Sequence, residues 1–258
     1  MEAVAVSSDG VPVHFDVEGT AAQALVFVHG WSCDRRYWRC QMPYFAQRYR
    51  VLAVDLAGHG ASGAHREAWT MAAFANDVVA AIDELELESS VLIGHSMGGD
   101  VIVEAALRLG GRVKGLVWVD TYRTLGDPLE PAETEAFADP FRRDFVGATR
   151  DFVRDLFLPA SDPELVEWVA GDMSAAREEI ALDAMQRSIT NQNAILAALP
   201  NLAAPIVAIN PAERPNDVES LRRYGVGTVL MPGVGHFLML EEPDAFNELL
   251  ARTIEQLW

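Results

Sequence analysis

Cysteine is nearly absent from this sequence: Cys33 and Cys40 are the only two among 258 residues. Two thiols cannot staple a chain of this size, so no disulfide framework is expected. Both read as free, which places the protein in the cytoplasm. Basic residues are scarce as well. Lys and Arg number 20 against 38 Asp and Glu, a formal charge of −18. Nucleic acid is thereby excluded as a partner, because phosphate neutralisation needs clustered cations. Anionic substrates are disfavoured at long range for the same reason. No apolar run approaches the roughly 20 residues that cross a bilayer, so no membrane span is expected. Met1-Glu2-Ala3-Val4 shows no basic region followed by an apolar stretch, so a secretion signal is not expected either. The six histidines are scattered, and neither Cys-x-x-Cys nor His-Glu-x-x-His occurs, so no metal is expected. There is no internal repeat and no low-complexity segment.

What the chain does have is apolar bulk, 50% of its residues. That is enough for one α/β domain with an insertion. Val11, Val13, Phe15 and Val17 alternate with polar residues after Ser8-Asp9-Gly10, which predicts an antiparallel hairpin turning at Asp-Gly. Ala24–Val28, Arg50–Asp55, Ser90–Ile93, Lys114–Asp120, Pro205–Asn210 and Thr228–Met231 read as strands. The runs that are continuously apolar mark strands buried on both faces. A short helix is expected around residues 37–49. Thr70 can cap a helix that places Phe74, Val78, Ile82 and Leu85 on one face. A last amphipathic helix runs from Pro243 towards Trp258. Between about Tyr122 and Pro200 no strand pattern is convincing, and the helical patterns are broken by Pro128, Pro131, Pro140, Pro159 and Pro163. A stretch this long is not a loop. It reads as a helical cap inserted between two strands of a mostly parallel eight-stranded sheet with helices on both faces.

Gly94-His95-Ser96-Met97-Gly98-Gly99 lies between a strand and a helical pattern. That is the setting of a G-x-S-x-G nucleophile elbow, in which a sharp turn forces the serine into a strained backbone and presents its hydroxyl at the end of the strand. Gly94 and Gly98 let neighbouring backbone approach the turn. The helix that follows aims its first N–H groups at charge developing beside Ser96.

Four segments together, His29-Gly30-Trp31, Asp55-Leu56-Ala57-Gly58-His59-Gly60-Ala61-Ser62, Gly94 to Gly99 and Gly233-Val234-Gly235-His236-Phe237, fall in the order and spacing of the α/β-hydrolase superfamily. The resemblance covers nearly the whole chain apart from the cap. It implies an α/β-hydrolase fold with a core of residues 1–121 and 201–258 and a cap of residues 122–200. It also implies a catalytic triad, with Ser96 as nucleophile and His236 as the base that takes its proton. Met97 N–H, Trp31 N–H and the close turn at Gly30 are implied as the oxyanion hole. The Trp31 indole is a candidate wall of the acyl pocket. Among the other histidines, His95 is expected to point away from the site, His29 and His59 to serve structurally, and His14 and His65 to be solvated. Cys33 is expected near the entrance as a bystander.

The triad acid is open. Most of the superfamily carries an Asp shortly after the strand before the histidine strand, and here that turn reads Asn210-Pro211-Ala212-Glu213-Arg214-Pro215-Asn216-Asp217, without the expected aspartate. Asp120, at the end of the strand after the elbow strand, is one candidate. Glu213 is another, and Asp217, which could instead cap the next helix, is a third.

The activity implied is hydrolysis of carboxylic esters, an esterase with a small apolar ester as substrate and no cofactor. Lactones, thioesters or amides, carbon–carbon cleavage and perhydrolysis use the same parts and stay open, as does a homodimer. A ligand receptor built on a hydrolase scaffold is the rival of another class.

Overall fold

The computed structural model describes residues 1–126 and 130–258. Pro128 therefore lies outside the described residues. The strands are β1 (Glu2–Val6), β2 (Pro12–Glu18), β3 (Ala24–Val28), β4 (Arg50–Val54), β5 (Ser90–His95), β6 (Val113–Val119), β7 (Ile206–Pro211) and β8 (Val226–Met231). They form one sheet in the order β1-β2-β4-β3-β5-β6-β7-β8. The first two strands run antiparallel and everything from β4 to β8 is parallel. The hairpin expected at Asp9-Gly10 is β1–β2. Strands β3 and β5 are buried at every position, which is why their sequences carry no polar alternation.

Helices follow from the crossovers. The connection from β3 to β4 contains α1 (Gln41–Phe45), and the chain then crosses back through α2 (Met71–Glu84) to β5 and through α3 (Met97–Leu109) to β6. Right-handed crossovers in opposite directions put α1 on one face and α2 and α3 on the other. The helix α11 (Pro243–Ile254) packs on α1, and α2 packs on α3. Thr70 caps α2 by accepting from Ala73 N at 3.0 Å, as its sequence position suggests. The helix expected over 37–49 is shorter: a 3-10 turn at Arg35–Trp38 precedes α1.

Among the described residues, the long connection between β6 and β7 holds α4 (Pro131–Arg143), α5 (Phe145–Leu156), α6 (Pro163–Ser174), α7 (Glu178–Ile189) and α8 (Gln192–Ala198), followed by a 3-10 turn at Leu199–Asn201. Pro163 sits in the first turn of α6, where its missing N–H costs nothing. Pro140 departs from the sequence reading. It lies inside α4 and does not end it. Phe141, Phe145, Phe152 and Trp31 of the β3 loop form an edge-on aromatic cluster that seats this helical layer on the sheet's C-terminal edge. After β7 the chain forms α9 (Val218–Arg223), and after β8 it forms α10 (Leu238–Glu241). No helix among the described residues is long and apolar enough to cross a membrane.

Candidate active site

Parallel strands deliver their C-terminal ends to one edge of the sheet. The loop after β3, Ser96 after β5, Asp120 after β6 and His236 in the loop beyond β8 converge there. Ser96 has φ 52, a left-handed conformation that a serine adopts only under constraint. The constraint is visible around it. Ser96 N donates to Val119 O at 2.9 Å, which ties the elbow to the neighbouring strand. A Cβ on Gly98 would lie 2.5 Å from Val28 O, and one on Gly94 would run into the Gly98 carbonyl. Backbone from β3 and α3 therefore occupies the space any larger residue would need. Gly30 is close-packed but less tight, since a Cβ there would lie 3.0 Å from His95 Nδ1 and 3.2 Å from Ser96 Cβ.

His236 Nδ1–H donates to Asp120 Oδ2 at 2.7 Å. That bond leaves Nε2 as the ring nitrogen available to a proton from another partner. Asp120 is 5% exposed, has φ 43 and is anchored by its own N–H to Ile209 O. Its other oxygen lies 3.5 Å from Arg123 Nε, an ion-pair distance rather than a hydrogen bond. The other two carboxylates considered from the sequence are exposed and engaged elsewhere. Glu213 Oε1 accepts from Gly233 N at 2.7 Å, three residues before the histidine. Asp217 caps α9 by accepting from Ser220 N at 2.9 Å. At the end of β7, where the family's usual acid would be expected nearby, Asn210 Nδ2 instead bonds Tyr122 O and Asn216 Oδ1.

Ser96 and His236 line one cavity of about 100 Å³, together with Gly30, Trp31 and Met97. Among the described residues Ser96 Oγ makes no hydrogen bond to the imidazole. Met97 is the first residue of α3, so its N–H has no acceptor within the helix. Most of the rest of the wall is apolar and comes largely from the helical layer: Phe137, Phe152, Met173, Met185 and Ile189. The Trp31 indole lines the cavity and is held by Nε1–H donating to Ala181 O at 2.7 Å.

Two readings from the sequence need correction. His95 does not point away. Its Nε2–H donates to His236 O at 2.9 Å, its ring lies 4.5 Å from the His236 ring, and it lines the cavity. Burial, reinforced by the His236 charge, lowers its pKa well below 6.5, so it is neutral there. Cys33 is not at an entrance but buried in the wall, with Sγ–H directed at Trp31 O. Burial raises its pKa well above the ordinary range, so its thiol stays protonated and unreactive. His29 is structural: its Nδ1–H donates to Gly30 O, and its Nε2 accepts from Leu56 N. His59 bonds Ala57 O and is also buried, which pushes its pKa down to about 3. His65 is exposed, and His14 pairs with Glu2 at 3.1 Å.

Glu241 was not singled out in the sequence, and it braces the histidine loop. Its carboxylate accepts from Gly235 N at 3.0 Å, from Phe237 N at 3.1 Å and from the Ser161 hydroxyl at 2.7 Å. His236 N donates in addition to Leu156 O at the end of α5. The loop is thus clipped to both α10 and the helical layer. Nothing in a single sequence marks a glutamate five residues after the histidine for this part. Glu241→Ala is expected to lower turnover by about 10- to 100-fold through misplacement of the imidazole. Turnover within twofold of wild type, measured at saturating substrate, would show that the loop holds its position without the carboxylate.

Among the described residues, no group of three or more His, Cys, Asp or Glu is placed to hold a metal ion. Residues 25–249 match the model of the alpha/beta hydrolase family. The chain belongs to that family. Over 129 residues it is 33% identical to the dihydrolipoyllysine-residue acetyltransferase component of the acetoin cleaving system of Cupriavidus necator, covering 50% of this chain and 34% of that protein. The chain thus spans about a third of the length of this curated relative. A thermophilic esterase from Thermogutta terrifontis superposes with a TM-score of 0.83 at 23% identity, over 100% of this chain and 99% of that one, a likeness of fold. An N-acyl homoserine lactone degrading enzyme superposes with a TM-score of 0.82 at 27% identity, over 96% and 98% of the two chains.

Proposed function

We propose that this family member is a serine hydrolase that cleaves carboxylic esters through an acyl-enzyme on Ser96. The observation that carries the reading is the 2.7 Å bond from His236 Nδ1 to the buried Asp120 carboxylate, with His236 and a backbone-strained Ser96 lining one cavity. Asp120 fixes the tautomer that leaves Nε2 as a base and stabilises the imidazolium once it forms. Ser96 Oγ attacks the acyl carbon as His236 takes its proton. Met97 N–H and Trp31 N–H hold the oxyanion, and the dipole of α3 assists them. The acyl C–O bond then breaks, and the leaving alcohol takes the proton from His236. Water, deprotonated by the same imidazole, releases the acid.

The cavity is small. At about 100 Å³ it lies below the roughly 300–1,000 Å³ of drug-sized sites, so compact, uncharged groups fit it. The helices of residues 122–200 serve as a cap over the core of residues 1–121 and 201–258, because they supply most of the apolar wall. With two unpaired thiols, one of them buried and kept as a thiol, the chain suits a reducing cytoplasm. A lactone is the second substrate class supported, by the 27% identical lactone-degrading neighbour.

The reading is tested by incubation with p-nitrophenyl acetate followed by acid quenching and mass spectrometry. An acetyl adduct on the peptide containing Ser96, absent in Ser96→Ala, is the expected outcome. Release of p-nitrophenol by Ser96→Ala at the wild-type rate, with no adduct on the wild-type peptide, would remove the nucleophile from the scheme. No turnover of any short ester or lactone would favour a binding protein on a hydrolase scaffold.

A further inference from the structure

A second cavity, of about 270 Å³, adjoins the nucleophile. Ser96, Met97, Ser188 and Ile189 line both cavities, which are therefore two lobes meeting at the serine. The second lobe differs in kind, because the rest of its wall is Asp100, Thr121, Tyr122 and Gln192. Asp100, in the first turn of α3, is 2% exposed. Its Oδ1 accepts from the Tyr122 hydroxyl at 2.8 Å. Among the described residues no Lys or Arg pairs with it, and the charged group acting on it is another carboxylate, Glu104. Thr121 Oγ1 and Gln192 Oε1 are buried without hydrogen-bond partners among the described residues. A carboxyl enclosed with no cation is costly to a fold, and burial has raised its pKa from the ordinary 3.8 to about 7. Groups held at such a cost beside a reactive centre are candidates for ligand binding.

We propose that this polar lobe binds a protonated amine carried by the substrate, with Asp100 as its counter-ion and Gln192 Oε1 and Thr121 Oγ1 as further acceptors. The inference rests on the serine-hydrolase reading and specifies its substrate: apolar on one side of the carbonyl, cationic on the other. An ammonium has donors only, and this wall offers it a carboxylate and two unsatisfied oxygens. An apolar group would leave those acceptors unpaired in the complex. An anion would meet Asp100 inside and a net charge of −18 outside, whereas a cation is drawn in by both. The amine is expected on the acyl side. The leaving oxygen has to meet His236, which lines the apolar lobe and not the polar one. Ser96 and Asp100 are four residues apart across the first turn of α3, about one pitch of 5.4 Å, so a spacer of three methylenes suits the gap.

The test uses ester pairs that differ only by replacement of a dimethylammonium with its carbon isostere. Ethyl 4-(dimethylamino)butanoate is set against ethyl 5-methylhexanoate for an amine on the acyl side. 2-(Dimethylamino)ethyl acetate is set against 3-methylbutyl acetate for an amine on the alcohol side. Wild type is expected to prefer the amine ester of the acyl pair in kcat/KM by about tenfold or more, and Asp100→Asn to abolish that preference. The alcohol pair identifies the other source of the same cation if the preference falls there. Equal kcat/KM within both pairs, or a preference that survives Asp100→Asn, overturns the proposal.

A readout on wild type alone guards against a misfolded variant. The amine-to-isostere ratio is expected to rise between pH 6 and 8 as Asp100 ionises, while a trialkylamine stays protonated. Taking the ratio at each pH cancels any pH dependence that both esters share. The other groups facing Asp100 are the Tyr122 hydroxyl, the Asn191 amide and Glu104 on its own helix, and burial raises the tyrosine pKa far above this range. A ratio independent of pH overturns the proposal. If neither ester acylates Ser96, the serine-hydrolase reading falls first and takes this inference with it. Acylation of Ser96 without an amine preference removes this inference alone.

Discussion

Asp120→Asn is expected to lower turnover of a short ester by about 10³- to 10⁴-fold, while Glu213→Gln stays within about tenfold of wild type. Asparagine keeps the volume and can still meet His236 Nδ1, but it does not enforce the tautomer that leaves Nε2 as a base. Nor does it carry the negative charge that stabilises the imidazolium. The two residues differ in setting as well as position. Asp120 is enclosed at the sheet edge, 2.7 Å from the imidazole, where a charge is weakly screened. Glu213 is exposed and receives the N–H of Gly233, a bond that glutamine's oxygen can also accept. Steady-state kinetics on both variants decides the matter. Equal losses in the two, or a larger loss in Glu213→Gln, would transfer the acid's part to the loop after β7.

Asp100→Asn is expected to make the protein more stable at neutral pH, by about 4 kcal/mol once the wild-type carboxyl has ionised. The sign follows from proton binding. The Asp100 pKa is raised to about 7 in the fold, against about 3.8 when unfolded. Between those values the folded chain keeps a proton that the unfolded chain has lost, so stability falls as pH rises. The contribution is fully present below about pH 4 and is lost by the time pH passes 7. The variant lacks this dependence, so the two proteins converge near pH 4 and separate towards pH 8. Urea unfolding at pH 4, 5.5, 7 and 8 measures the difference, in which the buried histidines and the other carboxylates cancel. A constant difference across that range would mean that Asp100 titrates in the fold as it does in water. A residue that lowers stability at working pH and lines a cavity beside Ser96 is the pattern expected where function is maintained at the expense of the fold.

The sequence was informative wherever a requirement is local. The elbow needs small residues on both sides of a serine between a strand and a helix, and this could be read from Gly94 to Gly99. The buried strands could be read from unbroken apolar runs, and the helices between β6 and β7 from a long stretch without strand pattern. Even so, Pro140 shows the limit of local reading. A proline that looks like a breaker sits inside α4.

Contacts between distant segments were not legible in the same way. Nothing near Asp120 or Glu213 in the chain says which carboxylate meets an imidazole more than a hundred positions from one and 23 from the other. Sheet order decides it, because β6 lies beside the elbow strand and its end faces the loop beyond β8. The same holds for His95, which turns out to support the His236 carbonyl, and for Glu241, which clips a loop to the turn between α5 and α6, 80 residues earlier.

By itself, then, the sequence determined that a serine is presented on a tight turn at the edge of a mostly parallel sheet, since that depends on backbone sterics and hydrophobic period over a few residues. Only the tertiary structure decided which carboxylate bonds the histidine, and that a buried aspartate with no cation beside it among the described residues lies on the other side of Ser96. Both are matters of which strand ends and helix turns become neighbours, and of how much water is excluded when they do.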